Sequence, residues 1–176
     1  MGAVEFVRQT YLPIGAKKIG EIEKTLAILD KLPDEKKSTK IIDNAINYFL
    51  RGCYLETTWR SESFLNFYKV IELIAQDFQE SFHQTLQNQL ASSLLGGITK
   101  EERTHLLTSK RLIRFMCLQL GIDISNDVSQ IVELRHKFSA HATLKEVDVS
   151  FKEFNKCKAL AIKAIINYIY QQAHSL

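Results

Sequence analysis

Apolar residues recur every three or four positions along most of the chain, the spacing that buries one face of a helix. This pattern predicts a first helix over about Gly15–Lys31, a second from Ser38 to near Trp59, and a third from Ser61 to about Gln89. Ser38 and Ser61 are expected to cap the second and third helices, because a serine oxygen accepts hydrogen bonds from free backbone N–H groups. The third helix carries an aromatic-rich stripe that is expected to be core and not a platform for stacking bases. Its members are Phe64, Phe67, Tyr68, Ile71, Ile74, Ala75 and Phe78.

Three further helices begin at polar capping signals. The segments 99–102 and 150–153 are capping boxes, in which a hydroxyl and a carboxylate three residues apart bond each other's backbone N–H groups. The helix that Thr99 opens is expected to stop at Gly121, and the segment 125–127 caps the next one. The last helix is expected to pack through an apolar stripe. The stripe consists of Phe154, Cys157, Ala161, Ala164, Ile165 and Tyr168.

Composition agrees with an all-helical fold. Two prolines and seven glycines are few for a turn-rich β protein, and 45% hydrophobic residues in a chain of 176 suffice for one core. We therefore expect an all-α bundle of five or six helices over residues 14–176. Residues 1–13 alternate in part and are expected to be an extended segment, the remnant of a preceding domain. A formal charge of +3 permits an anionic partner without demanding one.

Several classes of protein are not indicated. The three cysteines, Cys53, Cys117 and Cys157, are far apart on helical segments, so reduced thiols of a cytoplasmic protein are expected and not disulfides. No Cys or His pair has metal-ligand spacing, no glycine-rich phosphate loop follows a strand, and neither a metal nor a cofactor is expected. The longest apolar run, 159–170, is interrupted by Lys163, so no membrane association is expected.

The segment 131–142 holds the candidate chemistry. Arg135 falls on the apolar stripe of Val128, Ile131 and Phe138, where a guanidinium is costly unless an anion or an acceptor meets it. His141 lies about 120° around an ideal helix from Arg135. One helix would not bring this pair onto a single phosphate. Either the helix ends near residue 140, or a second copy of the chain supplies the missing half.

Arg135 and His141 are separated by five residues, the first of which is the polar His136, and this pattern resembles the HEPN superfamily. The sequence LRHKFSAHA and the upstream segment 45–75, with Phe64, Leu65 and Glu72, look like the Apea-like HEPN group. The resemblance covers roughly 41–170. It implies a HEPN-like bundle in which two protomers pair with their motif helices side by side.

The resemblance further implies a homodimeric, metal-independent endoribonuclease that leaves a cyclic phosphate, acting as the effector of a defence or toxin–antitoxin system with a neutralising protein partner. His141 suits proton transfer and Arg135 suits stabilisation of phosphate charge. His136 would position the phosphate or carry the second proton, and Glu72 and Ser139 would support these groups. A cationic cluster is expected to be a solvated face, or to contact RNA phosphates. Its members are Lys110, Arg111 and Arg114 on one side of the fourth predicted helix, and Lys137 of the motif segment is a further candidate RNA contact.

Two other interpretations stay open. Arg135 could pair with Glu72 or another carboxylate while His141 caps a helix end, which would make both residues structural. The chain would then be a non-catalytic HEPN-like module for dimerisation, or for binding a nucleotide or a protein. Glu72 itself is expected either to orient Arg135 or His136, or to be solvated.

Overall fold

The computed structural model describes residues 27–28, 37–79, 109–123, 127–140 and 149–174, with 139–140 described by their backbone alone. These residues form an all-α fold, as predicted. Residues 27–28 are helical, and Ile28 packs against the core. The helices, in chain order, are α1 (Lys37–Leu55), α2 (Arg60–Asp77), α3 (Ser109–Gln119), α4 (Asp127–Ala140) and α5 (Phe151–His174).

α2 is the central helix, and it contacts each of the other four. Its buried residues cover more than half of its circumference, as expected for a helix with neighbours on several sides, whereas Glu62, Lys69 and Gln76 are exposed on the remaining side. The aromatic-rich stripe predicted as core is buried throughout, from Phe64 to Phe78. The predicted α5 stripe is buried as well, from Phe154 to Tyr168.

The α1–α2 interface depends on one glycine. Gly52 is buried, and a Cβ built on it would lie 2.5 Å from Cε1 of the Phe67 ring. Close approach of the two helices also lets the Ser63 hydroxyl donate to the Gly52 carbonyl oxygen at 2.6 Å. The Phe67 ring is enclosed by Phe49 and Phe154, whose centroids lie 5.2 and 5.5 Å away. The position therefore has no room for a side chain.

Two of the predicted helix ends are formed by the groups that the sequence indicated. Ser150 and Glu153 make the capping box of α5: the Glu153 N–H donates to Ser150 Oγ at 3.2 Å, and the Ser150 N–H donates to Glu153 Oε2 at 3.3 Å. After α3, Gly121 has φ +62°, and the N–H groups of Gly121 and Ile122 donate to the carbonyls of Leu118 and Cys117. This pair of bonds is a Schellman motif, which needs a residue in the left-handed region.

Other predicted ends were wrong. α1 includes Ser38 and ends at Leu55, short of Trp59, because a tight turn follows in which the Trp59 N–H donates to the Leu55 carbonyl oxygen. Ser61 does not cap α2, since the N-cap is Trp59 and no side chain bonds there. α2 ends at Asp77, Phe78 is a turn and Gln79 is helical again, and the predicted limit near Gln89 lies outside the described residues. The capping box at 99–102 and the extended segment 1–13 lie outside the described residues.

The α1–α2 corner is exposed and aromatic. Trp59 is 58% exposed and Phe151, at the start of α5, is 65% exposed. The Arg60 guanidinium lies 6.0 Å from the centroid of the Phe151 ring and donates to the Val149 carbonyl oxygen at 3.4 Å. These contacts attach the start of α5 to the start of α2.

Candidate functional site

α4 presents the candidate chemistry at the edge of its buried face. Val128, Ile131, Val132 and Leu134 are buried, so the buried face is wider than the predicted stripe. Phe138 is half-buried, and its ring lies 5.7 Å from that of Phe64 on α2. These contacts hold α4 against α2 and fix which of its polar residues face the interface and which face solvent.

Arg135 is half-buried and stacks on α2. Its guanidinium carbon lies 5.8 Å from the centroid of the Tyr68 ring. A guanidinium over an aromatic face is attracted by the ring quadrupole, typically by about 0.5–2 kcal/mol depending on desolvation. The structure thus supplies a physical reason for an arginine on an otherwise apolar stripe.

Tyr68 is buried, and its ring contacts the Arg135 guanidinium. Burial raises its pKa to about 12, the Glu72 carboxylate adds to the rise, and the Arg135 guanidinium and the Ser109 side chain oppose it. The hydroxyl oxygen is buried and has no hydrogen-bond partner of ordinary geometry among the described residues. The Ser109 side chain therefore approaches this hydroxyl without completing a regular hydrogen bond.

Glu72 follows Tyr68 by one helical turn and lies on the same side of α2. It is half-buried and faces a solvent-open groove of about 370 Å³ between α2 and α3. Within the part of the chain that the structure describes, Glu72 forms no ion pair with Arg135. The two residues are instead related through Tyr68, whose pKa both of them perturb.

The remaining predicted site residues are distributed along α3 and α4. His136 and Lys137 are exposed, directly after Arg135. Lys110, Arg111 and Arg114 on α3 are half-buried, and Arg114 Nη2 donates to Ser129 Oγ on α4 at 3.2 Å. Arg114 therefore ties α3 to α4, whatever else it contacts. Ser139 is described by its backbone alone, and His141 lies outside the described residues.

Neither Tyr68 nor Ser109 was among the predicted site residues. Tyr68 was assigned to the core stripe, and it is buried there. The available signal was a single hydroxyl on a stripe otherwise made of Phe, Ile and Ala. The long-range contact with Arg135 carries no sequence signal of its own.

Three further findings bear on the class of protein. Cys53, Cys117 and Cys157 are free thiols, as predicted, and burial raises the pKa of Cys117 to about 11. The described side chains include no cluster of three or more His, Cys, Asp or Glu that could hold a metal ion. No helix in the described ranges has the length and apolar character needed to cross a bilayer.

Comparison of the whole chain with protein families, with characterised proteins and with solved structures gave no match.

Proposed function

We propose that the chain is a metal-independent endoribonuclease of HEPN type that acts as a homodimer. The observation that carries the proposal is the position of Arg135: half-buried over the Tyr68 ring, with exposed His136 and Lys137 directly after it. The planar guanidinium fork of an arginine matches the oxygens of a phosphodiester. The all-α fold is compatible with the HEPN-like bundle that the family resemblance implies.

The proposed reaction uses the RNA's own 2′-hydroxyl. His141 takes the 2′-hydroxyl proton as the 2′ oxygen forms a bond to phosphorus, and a second imidazole gives a proton to the 5′ oxygen as its bond to phosphorus breaks. His136, or His141 of the second copy, supplies that proton. The products are a 2′,3′-cyclic phosphate and a 5′-hydroxyl. Arg135 stabilises the charge that develops on the phosphate oxygens in the transition state.

A homodimer would bring the arginine and the histidine of the motif together at one phosphate. Arg135 and His141 lie on different sides of an ideal helix, so two motif helices side by side would present four such groups to one cleft. Exposed Lys137 and the α3 cations Lys110 and Arg111 would neutralise flanking phosphates. The proposal includes a cytoplasmic location, where free thiols persist, and a role as a defence or toxin–antitoxin effector with a neutralising partner.

The test is incubation of the purified chain with RNA in the presence of EDTA. Cleavage products with cyclic phosphate ends are expected from the wild type. Arg135→Ala and His141→Ala are each expected to lower the cleavage rate by at least about 100-fold, the usual size of a lost transition-state donor or proton carrier. Arg135→Lys keeps the positive charge and removes the bidentate guanidinium. It therefore tests whether the charge alone supports cleavage. Activity retained in both alanine variants would reject the proposal.

Arg51→Ala is the matched control for the arginine variant. Arg51 is exposed on α1, a helix that carries none of the candidate site residues, and its loss is expected to leave cleavage unchanged. Far-ultraviolet circular dichroism and thermal unfolding of each variant distinguish a lost catalytic group from a lost fold.

One observation favours the alternative of a non-catalytic module for dimerisation, or for nucleotide or protein binding. The contact between Arg135 and Tyr68 joins α4 to α2, so the arginine also has a packing role. This alternative predicts no product from any RNA and no effect of His141→Ala on binding. The EDTA experiment therefore separates the two functions.

A further inference from the structure

The groove beside Tyr68 has the composition of a site that recognises a polar, planar ligand. Its polar lining comes from Glu72, Gln76 and Gln79 of the α2 end and from Ser109 at the start of α3. Buried Leu112, together with neighbouring Ala75 and Ile113, provides an apolar surface. A volume of about 370 Å³ lies within the range of small-molecule pockets and exceeds what one nucleobase needs.

Glu72 gives this groove its chemical preference. Its carboxylate accepts hydrogen bonds at two oxygens and donates none. No ion pair or hydrogen bond engages it within the described ranges. A half-buried carboxylate in this state is best satisfied by a ligand that presents two adjacent N–H donors.

Glu72 of the groove lies one helical turn from the Tyr68 ring that Arg135 contacts. Tyr68 and Glu72 are one turn apart, about 6 Å along the α2 axis. The Tyr68 ring carries the Arg135 guanidinium on its face, 5.8 Å from the centroid. A ligand on Glu72 that extends past Tyr68 therefore reaches Arg135, and one nucleotide has that reach between its base and its phosphate.

We propose that the groove binds an unpaired guanine base of the RNA, with the Glu72 carboxylate accepting from N1–H and from the N2 amino group. This inference rests on the proposed ribonuclease function and assigns it a base preference. Among the four bases only guanine has two adjacent donors on its Watson–Crick edge. Adenine and cytosine present one donor beside an acceptor, and uracil presents one donor between two acceptors. Gln76 and Gln79 are positioned along the same groove for the remaining polar edge of the base.

The test measures binding of the four ribonucleoside 5′-monophosphates to the full chain by isothermal titration calorimetry. Guanosine monophosphate is expected to bind at least about tenfold more tightly than the other three, the usual worth of one bidentate base contact. Inosine monophosphate, which lacks the N2 amino group, is expected to lose most of that advantage. Equal affinity for guanosine and inosine monophosphates, or for all four bases, would overturn the proposal.

Glu72→Gln is expected to change which base the groove prefers, and not only to weaken binding. A glutamine offers one acceptor and one donor, the pair that adenine satisfies. The variant is expected to bind guanosine monophosphate at least about tenfold more weakly and adenosine monophosphate no more weakly than before. Glu62→Gln is the matched control, because Glu62 is an exposed glutamate of the same helix outside the groove. An unchanged guanine preference in Glu72→Gln would contradict the assignment.

Failure of this inference is distinguishable from failure of the ribonuclease proposal. Mononucleotide binding requires no cleavage. A guanine preference without RNA cleavage would therefore support the guanine site and reject the ribonuclease proposal. RNA cleavage in EDTA without a preference for guanine at the cleaved position would support the ribonuclease proposal and reject the guanine site.

Discussion

Replacing Gly52 by alanine tests the close contact between α1 and α2. The new Cβ would lie 2.5, 2.8 and 3.0 Å from three carbon atoms of the Phe67 ring. Carbon atoms in good contact are about 3.5–4.0 Å apart, so the ring or α1 would have to move by about 1 Å. Phe67 is fully buried between Phe49 and Phe154, and the Lys158 ammonium lies 5.8 Å from its centroid. Any movement of the ring would therefore have to displace one of these neighbours.

Two opposing terms set the size of the effect. Alanine is favoured over glycine inside a helix by about 1 kcal/mol. Overpacking of a well-filled core costs about 1–3 kcal/mol, and the upper part of that range applies at 2.5 Å against an enclosed ring. The expected net destabilisation is therefore about 2 kcal/mol. For a chain of this size it corresponds to a melting temperature lower by about 4–8 °C.

Thermal and urea unfolding, followed by circular dichroism, measure this change. Asn47→Ala on the exposed face of α1 is the control and is expected to leave stability within about 0.5 kcal/mol. Phe67→Leu provides a second check, because a smaller side chain opens space for the methyl group. The double variant is expected to be more stable than the sum of the single effects predicts. A Gly52→Ala protein as stable as the wild type would refute the reasoning.

Two further predictions concern a helix cap and a buried phenol. Ser150→Ala removes the hydroxyl of the α5 capping box and is expected to cost about 0.5–2 kcal/mol in urea unfolding, whereas Lys152→Ala, an exposed change in the same turn, is expected to cost little. The pKa of Tyr68 is raised from 10.0 to about 12, so the folded state holds this proton more tightly than the unfolded state does. The stability from this group is fully present below pH 10 and is lost as the pH rises towards 12. Tyr68→Phe is expected to flatten that decline, and a decline equally steep in the variant would contradict the assignment.

Local signals predicted those parts of the fold that depend on local hydrogen bonds. The capping box of Ser150 and Glu153 and the left-handed Gly121 both involve groups within five residues of each other. Ser61 was wrong as a cap because the turn after Leu55 already fixes where α2 begins. In that turn the Trp59 N–H bonds to the Leu55 carbonyl oxygen, and the Trp59 carbonyl oxygen accepts from Ser63.

The candidate site could be predicted only in part. Helical periodicity placed Arg135 on an apolar stripe and raised the question of what meets its charge. The ring that meets it belongs to Tyr68, 67 residues earlier, and no spacing rule connects the two. The groove beside Glu72 exists because α3 packs against α2, which is a property of the assembled helices. The spacing of apolar residues within one helix therefore does not predict this groove.

Trp59, the single tryptophan of the chain, stands at the solvent-exposed corner between α1 and α2 and not in the core. Its fluorescence in the native protein should already resemble that of a hydrated indole and should shift little when the bundle melts. Near-ultraviolet ellipticity of the buried tyrosines Tyr68 and Tyr168 is the better optical signal of unfolding. The indole emission can therefore be used to detect events at that corner, including the approach of another macromolecule.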